Sequence, residues 1–393
     1  MTNAFESAQQ ENAEKPKPLD LKFYVTDHSA DNVDTGDPER LKALYEDIKQ
    51  DGVTSVRYDW HWNKVEPTEG GFQEELLGRY TKAVEIMNDA GLEPPTVILS
   101  NIPKWALDLY KEDKEKFFDE FRTYVEKVKE NLVKASEKTG ALVSQVQVLN
   151  ELNNTVYTPI AAEDLPRLCA ITREVLHGYN PDIELMGSIF AGNLPGAIKA
   201  ATFGKLDFGI PVEEYLEKFK DALDAFDSIA VDYYPGMWHV PLGEARENKR
   251  EIFKQLGLLR RTMETIAGWG KRYELGEVGI QTNIPLMTDT HNQDRQRYFY
   301  DVFFKEFRSM LLDFQEKGIA LPERVGLYEA MDEPPKTVLG KILRRLTPFP
   351  ENDMGMRKSG LSRKEVLKGN RHESDETKRG PSQLSKIIRY VNR

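Results

Sequence analysis

The sequence predicts an α/β protein, a (β/α)8 TIM barrel. Three observations point to it. Short apolar runs alternate with longer amphipathic stretches of helical period, and the alternation yields eight strands at about forty residues per unit. No Gly-rich phosphate loop of the GxGxxG or GxxxxGK(S/T) kind follows the first strand, so an open doubly wound sheet is the second choice.

Residues 1–20 are polar, contain Lys15-Pro-Lys-Pro18 and have no apolar stretch. They are expected to be a disordered lead-in, with neither a signal peptide nor a membrane span. The first strand is expected at 21–25 and the first helix at 38–49. Strand two, 55–59, leads to a helix at 74–89 that stops at Gly91. Strand three, 96–99, leads to a helix at 114–137 that stops at Gly140. Glycine suits the position after a helix because it enters the left-handed region without strain. Strand four, 145–149, alternates Gln145 and Gln147 with Val146 and Val148, then breaks off at Asn150-Glu151. In its helix, 163–177, the single cysteine, Cys169, reads as a small core residue. Strand five at 183–187 precedes a helix at 212–223, and strand six at 228–232 precedes one at 244–267. Strand seven, 272–275, runs into Gly276-Glu277; a helix at 295–316 stops at Gly318, and strand eight is 325–328. The barrel is therefore assigned residues 21–336. Beyond Glu333-Pro-Pro335 the periodicity fades, and 337–393 reads as an irregular basic segment ending in a helix at 382–391.

The 393-residue chain has a formal net charge of -11, which disfavours broad binding to nucleic acid or anionic membranes. One cysteine excludes an intramolecular disulfide framework and a cysteine-rich zinc site. No HExxH or comparable ligand cluster occurs, so neither metal nor cofactor is expected. A cytoplasmic location is expected, with export left open, and the oligomeric state is not legible.

In such a barrel, reactive groups gather at the C-terminal strand ends. Strand two ends in Arg57-Tyr-Asp-Trp-His-Trp62, strand three in Ser100-Asn-Ile-Pro-Lys-Trp105, and strand four in Asn150-Glu151. Strand six ends in Asp232-Tyr-Tyr-Pro-Gly-Met-Trp-His239, strand seven in Glu274 to Glu277, and strand eight in Tyr328-Glu-Ala-Met-Asp-Glu333. One rim thus carries acids, amides, Trp, Tyr and His. That mixture suits a polyhydroxylated ligand, with aromatic faces for sugar rings and polar groups for hydroxyls. Trp105 and Trp238, placed in loops, are the first choices for stacking; His239, among aromatic residues, is the preferred histidine. Asn101 and Glu329 stand at strand ends as further binding candidates.

These strand ends resemble clan A glycoside hydrolases, which carry an acid at strand four and a nucleophile at strand seven. The resemblance rests on Val56-Arg-Tyr58 with Trp62-Asn-Lys-Val-Glu-Pro67, on Asn150-Glu151, on Tyr233-Tyr-Pro235, on Gly276-Glu-Val-Gly279 and on Tyr328-Glu329. It implies Glu151 as general acid/base and Glu277 as nucleophile of a retaining O-glycosidase, whose carboxyls stand about 5–5.5 Å apart. It further implies that Arg57 holds Glu277 charged, that Tyr234 donates to the same carboxylate and that Asn150 grips a sugar hydroxyl. The three-residue spacing of Glu274 and Glu277 would put them on opposite faces of a regular strand, and Glu277, at the exit, is taken as the reactive one. Two departures stand out. Asp232 occupies the place where many clan members have His, and Tyr328-Glu329 stands where many have Trp.

Two other functions fit less well. A carbohydrate-binding protein on a retired barrel needs neither glutamate. A barrel aldolase or isomerase needs a strand-end lysine or a metal triad, for which Lys104 is the nearest residue.

Overall fold

In a computed structural model, residues 18–31, 36–192, 209–234, 249–279, 292–328 and 383–393 are described. Eight parallel strands close into a barrel in chain order. They are β1 (Lys22–Asp27), β2 (Ser55–His61), β3 (Thr96–Ser100), β4 (Gln145–Val148), β5 (Glu184–Phe190), β6 (Ser228–Tyr233), β7 (Arg272–Val278) and β8 (Arg324–Leu327). The helices are α1 (Pro38–Gln50), α2 (Trp62–Val65), α3 (Glu74–Asp89), α4 (Lys104–Glu112), α5 (Lys114–Thr139), α6 (Leu165–His177), α7 (Val212–Lys218), α8 (Lys220–Leu223), α9 (Lys249–Gly268), α10 (Asn292–Lys317) and α11 (Gln383–Asn392).

Every strand falls where the apolar periodicity places it. Several run on past the expected end, because pairing with a neighbour holds residues whose own polarity reads as loop: His61 pairs with Ser100, and Val278 with Leu327. The helix expected at 212–223 is two short helices meeting at Phe219, whose φ is -118°. Helices α2 and α4 were not expected, since each is too short to show a period. Leu19, inside the stretch 1–20 expected to be a disordered lead-in, is already buried, and residues 1–17 lie outside the described residues. At the other end, α11 buries Leu384, Ile387 and Val391, and Asn392 exchanges two 2.9 Å hydrogen bonds with the backbone of Leu21.

Alternation along the strands sorts the side chains. Val56, Tyr58 and Trp60 of β2, and Val146 and Val148 of β4, join the apolar layer under the helices. Burial pushes the Cys169 thiol up to about 12, so it packs as an inert core group. The barrel interior, in contrast, is polar. At its N-terminal end Arg324 donates to Glu274 (Nε–Oε2 2.8 Å), to Thr96 (3.1 Å) and to Gln145, while the Tyr24 hydroxyl donates to the other Glu274 oxygen at 2.9 Å. Such a network is stable only when each member is satisfied. Arg324→Met should therefore destabilise the fold by about 3–5 kcal/mol in chemical denaturation, because it strands a buried Glu274 charge. A loss under about 1 kcal/mol would show that the network does not hold the barrel floor.

Candidate active site

Arg57 is fully buried at the centre of the barrel, and its fork reaches two other strands. Nε and Nη2 donate to Gln147 Oε1 on β4 at 2.9 and 2.6 Å, Nη2 donates to Asn150 Oδ1 at 3.0 Å, and Nη1 donates to Glu277 Oε1 on β7. Burial alone would lower the Arg57 pKa, but Asp232 and other facing groups outweigh it and hold the guanidinium charged. The Tyr234 hydroxyl donates to the other oxygen of Glu277. Both oxygens of this carboxylate are thus engaged, and its direction is fixed.

Glu277 reaches this place through an irregularity in β7. Leu275 pairs with Val231, but Glu277 pairs with the next residue, Asp232, so one residue is extra on β7. The same shift appears against β8, between Leu275 and Val278. The expectation that Glu274 and Glu277 face opposite ways is therefore overturned. The bulge at Gly276 resets the alternation, and both carboxylates point into the barrel. Their surroundings separate them: Glu274 is locked by Arg324 and Tyr24, whereas Glu277 sits at the C-terminal mouth. Gly276 has no room for a side chain, since a Cβ there would lie 2.3 Å from Asp232 Oδ1 and 2.8 Å from the Ala230 Cβ.

Glu151 is set by a strained turn. Leu149 and Glu151 have φ of 65° and 47°, and Asn101, ending β3, has 55°. Non-glycine residues in this region cost roughly 1–3 kcal/mol each and persist only where neighbours over-determine them. Here Gln147 Nε2 holds the Leu149 carbonyl at 2.8 Å, Thr158 holds the Asn150 carbonyl at 2.6 Å, and the Glu151 amide donates to Ser188 Oγ at 2.7 Å. The Glu151 carboxylate accepts from Asn154 Nδ2 at 2.6 Å and is 5% exposed, as is residue Glu277. Asn150 Oδ1 accepts from Arg57, Gln147 (2.9 Å) and Ser188 (3.0 Å). With that oxygen saturated, the amide N–H groups are the remaining polar groups of the Asn150 side chain. Ser188 and Asn150 thereby link the Glu151 turn to Arg57 and Glu277, and the charge of Glu151 is felt at Tyr234.

A third wall comes from β1, β2 and β8. The rings of His28 and His61 stack at 5.7 Å, and Tyr328 meets both His28 (5.8 Å) and Tyr234 (5.6 Å) edge-on. His61 Nδ1 lies 2.9 Å from Ser100 Oγ and 2.6 Å from Asn101 Nδ2, and its Nε2 lies 3.2 Å from Asp31. Burial would raise Asp59, but His61, His28 and Arg57 outweigh it and hold the carboxyl below the usual range. Among the described residues His28, Asp31 and His61 form a group that could hold a metal ion, with ligand atoms all within 4.8 Å of one another. The Lys64 ammonium already sits on the Asp31 carboxylate, however, and supplies the positive charge a cation would bring.

The structure thus brings together Arg57, Asn150, Glu151, Tyr234 and Glu277, with Asn101 beside His61. Trp105 does not join them as a loop platform. It lies in α4, half-buried, against Trp62 (5.8 Å, edge to face), and its indole N–H donates to the Glu66 carbonyl at 3.1 Å. Trp60 and Trp62 are likewise fully packed. Lys104 is exposed and pairs with Asp108 at 2.7 Å, away from the cleft. Trp238, His239 and Glu329 lie outside the described residues. His28, Asp31, Asp59, Gln147 and Ser188 escaped the sequence reading. The inward glutamines of β4 were the available signal, because a polar side chain inside a barrel needs a partner there.

Compared with known proteins, no protein-family model matches this sequence, and no curated protein matches it either. Solved structures do. An exo-beta-1,4-mannosidase, Op5Man5 from Opitutaceae bacterium strain TAV5, superposes with a TM-score of 0.62 at 14% identity over 94% of this chain. The chain spans 59% of that mannosidase's length. GH5_18 from Streptomyces cattleya, solved in complex with GlcNAc, gives 0.60 at 12% identity over 94% of this chain and 80% of its own. The beta-glycosidase BGL167 gives 0.55 at 13% identity over 96% of this chain and 97% of its own. The chain shares their barrel fold. The resemblance to clan A glycoside hydrolases read from the strand ends is thereby met at the level of architecture.

Proposed function

We propose that this chain is a retaining O-glycosidase with Glu151 as general acid/base and Glu277 as nucleophile. The observation that supports this reading best is the treatment of Glu277. A buried arginine and a tyrosine hydroxyl hold both of its oxygens at the mouth of the barrel, while Glu274, three residues earlier, is tied down as structure. A carboxylate aimed in this way attacks the anomeric carbon without first reorganising. One Glu277 oxygen forms the bond to that carbon, the exocyclic C–O bond breaks, and the leaving oxygen takes the proton of Glu151. Water then attacks the ester, giving its proton to Glu151 and releasing Glu277 as carboxylate. In this reading the Asn150 N–H groups bind the hydroxyl beside the reacting carbon.

The fold neighbours include an exo-β-1,4-mannosidase and a GH5_18 variant from Bifidobacterium longum in complex with Manb1-4GlcNAc, so a β-mannoside is the first glycone to try. The test is a panel of 4-nitrophenyl β-glycosides, with the anomer of the first product followed by NMR. Release of the β-anomer supports the reading, and the α-anomer or no turnover at all sinks it. Sugar binding without turnover would favour a non-hydrolytic carbohydrate-binding protein. Arg57→Lys should lower kcat/KM by about a hundredfold, because a point charge cannot grip Glu277, Gln147 and Asn150 together. Unchanged kinetics would remove Arg57 from the site.

A further inference from the structure

Asp232 is fully buried on β6, and neither of its oxygens has a hydrogen-bond partner among the described residues. The adjacent Ser188 hydroxyl is close enough to favour the charged form of Asp232, but its hydrogen bond goes to Asn150 Oδ1, at 3.0 Å. The cationic group nearest to Asp232 is Arg57 Nη2, at 3.8 Å, so one guanidinium faces two carboxylates. The fold makes room for this arrangement: a side chain at position 276 would displace Asp232, and glycine stands there. A carboxylate this deep, whose one neighbouring hydroxyl is engaged by Asn150, destabilises a fold, and an apolar residue or amide of the same size would not.

We infer that Asp232 is a positioning residue that shares Arg57 with Glu277, keeping Glu277 reactive when free and leaving Arg57 a counter-ion while Glu277 is esterified. The inference rests on the glycosidase reading for its kinetic part only. When Glu277 bonds to the sugar it becomes a neutral ester, and a buried guanidinium without an anion is strongly disfavoured. Asp232 removes that penalty. In the free enzyme the second anion weakens the hold of Arg57 on Glu277, so the nucleophile is less quenched. The titratable and charged groups facing Asp232 are Arg57 and Asp59 from β2, Glu274 and Glu277 from β7, Tyr24 from β1 and the adjacent Tyr234. Burial pushes its carboxyl up from 3.8 to about 6, with Arg57 and the Ser188 hydroxyl pulling the other way. A raised carboxyl pKa means that folding favours the protonated form. Its stabilisation is complete below the unfolded value and is lost as pH rises from 3.8 through about 6.

Asp232→Asn keeps the shape and removes the charge. Thermal unfolding of the whole chain should put the variant a few degrees above wild type at pH 7, with the gap closing at pH 4.5, where wild-type Asp232 is protonated in the fold. On the best aryl glycoside, kcat/KM should fall about tenfold, since it reports the first step. With a 2,4-dinitrophenyl leaving group, for which breakdown of the ester limits turnover, kcat should hold or rise. A melting difference of the same size at both pH values, or equal losses in kcat and kcat/KM, overturns the inference. If wild type turns over no glycoside, the glycosidase reading fails, and the melting comparison still decides whether a second buried carboxylate competes for Arg57.

Discussion

Under the proposed mechanism Glu277→Ala should remove turnover: kcat/KM on the best aryl glycoside should fall by about 10⁴-fold or more, as expected when a covalent nucleophile is deleted. The size of the loss follows from how much else in the site depends on this carboxylate. Arg57 and Tyr234 both aim at it, and neither has another reacting group to serve. The truncation also leaves buried Arg57 with Asp232 at 3.8 Å as its nearest anion, so folding is checked by melting. Glu277→Gln is the companion variant, because it fills the same space. Azide, a small anion able to enter the vacated volume, should restore bond cleavage in the alanine variant and give a glycosyl azide inverted relative to the substrate. Wild-type rates in both variants would show that the bond-forming group lies elsewhere.

Glu151→Gln separates substrates by their leaving groups. Hydrolysis of alkyl glycosides, which need a proton on departure, should drop by about 10²–10⁴-fold. The first step on 2,4-dinitrophenyl glycosides, whose leaving group departs as a stable anion, should hold within about threefold. The turn that presents Glu151 is strained at Leu149 and Glu151 but pinned by Gln147, Thr158 and Ser188, so the substitution leaves the backbone in place. Equal losses on both substrate types would count against a proton-donor role. The same result combined with an intact burst of aryl product would locate the defect in the second step, where the proposed mechanism has this residue take a proton from water.

Much of the architecture was legible because it is written locally. Period-two runs such as Gln145 to Val148, glycine stops such as Gly140 at φ 70°, and a proline at the start of α1 act within a few residues of themselves. The strand-end carboxylates were legible for the same reason, since a polar break after an apolar run marks where a barrel strand opens to its rim. Trp105 misled because an aromatic residue near a strand end has the same local signature whether it stacks on a sugar or packs edge-on against another ring, as Trp105 does against Trp62.

The sequence by itself determined the eight-unit alternation, the acids at the ends of β4 and β7, and the aspartate at position 232. Only the closed barrel showed that Glu274 is tied to Arg324 and Tyr24 while Glu277 meets Arg57 at the mouth, because those pairings depend on a bulge and on partners far away in the chain. Arg57 and Glu277 are 220 residues apart, and Arg324 reaches Thr96 across 228. Pairings at that separation leave no periodic trace. They arise when strands close and buried charges must find one another, since an unmatched charge inside the barrel would destabilise it more than the alternative arrangements.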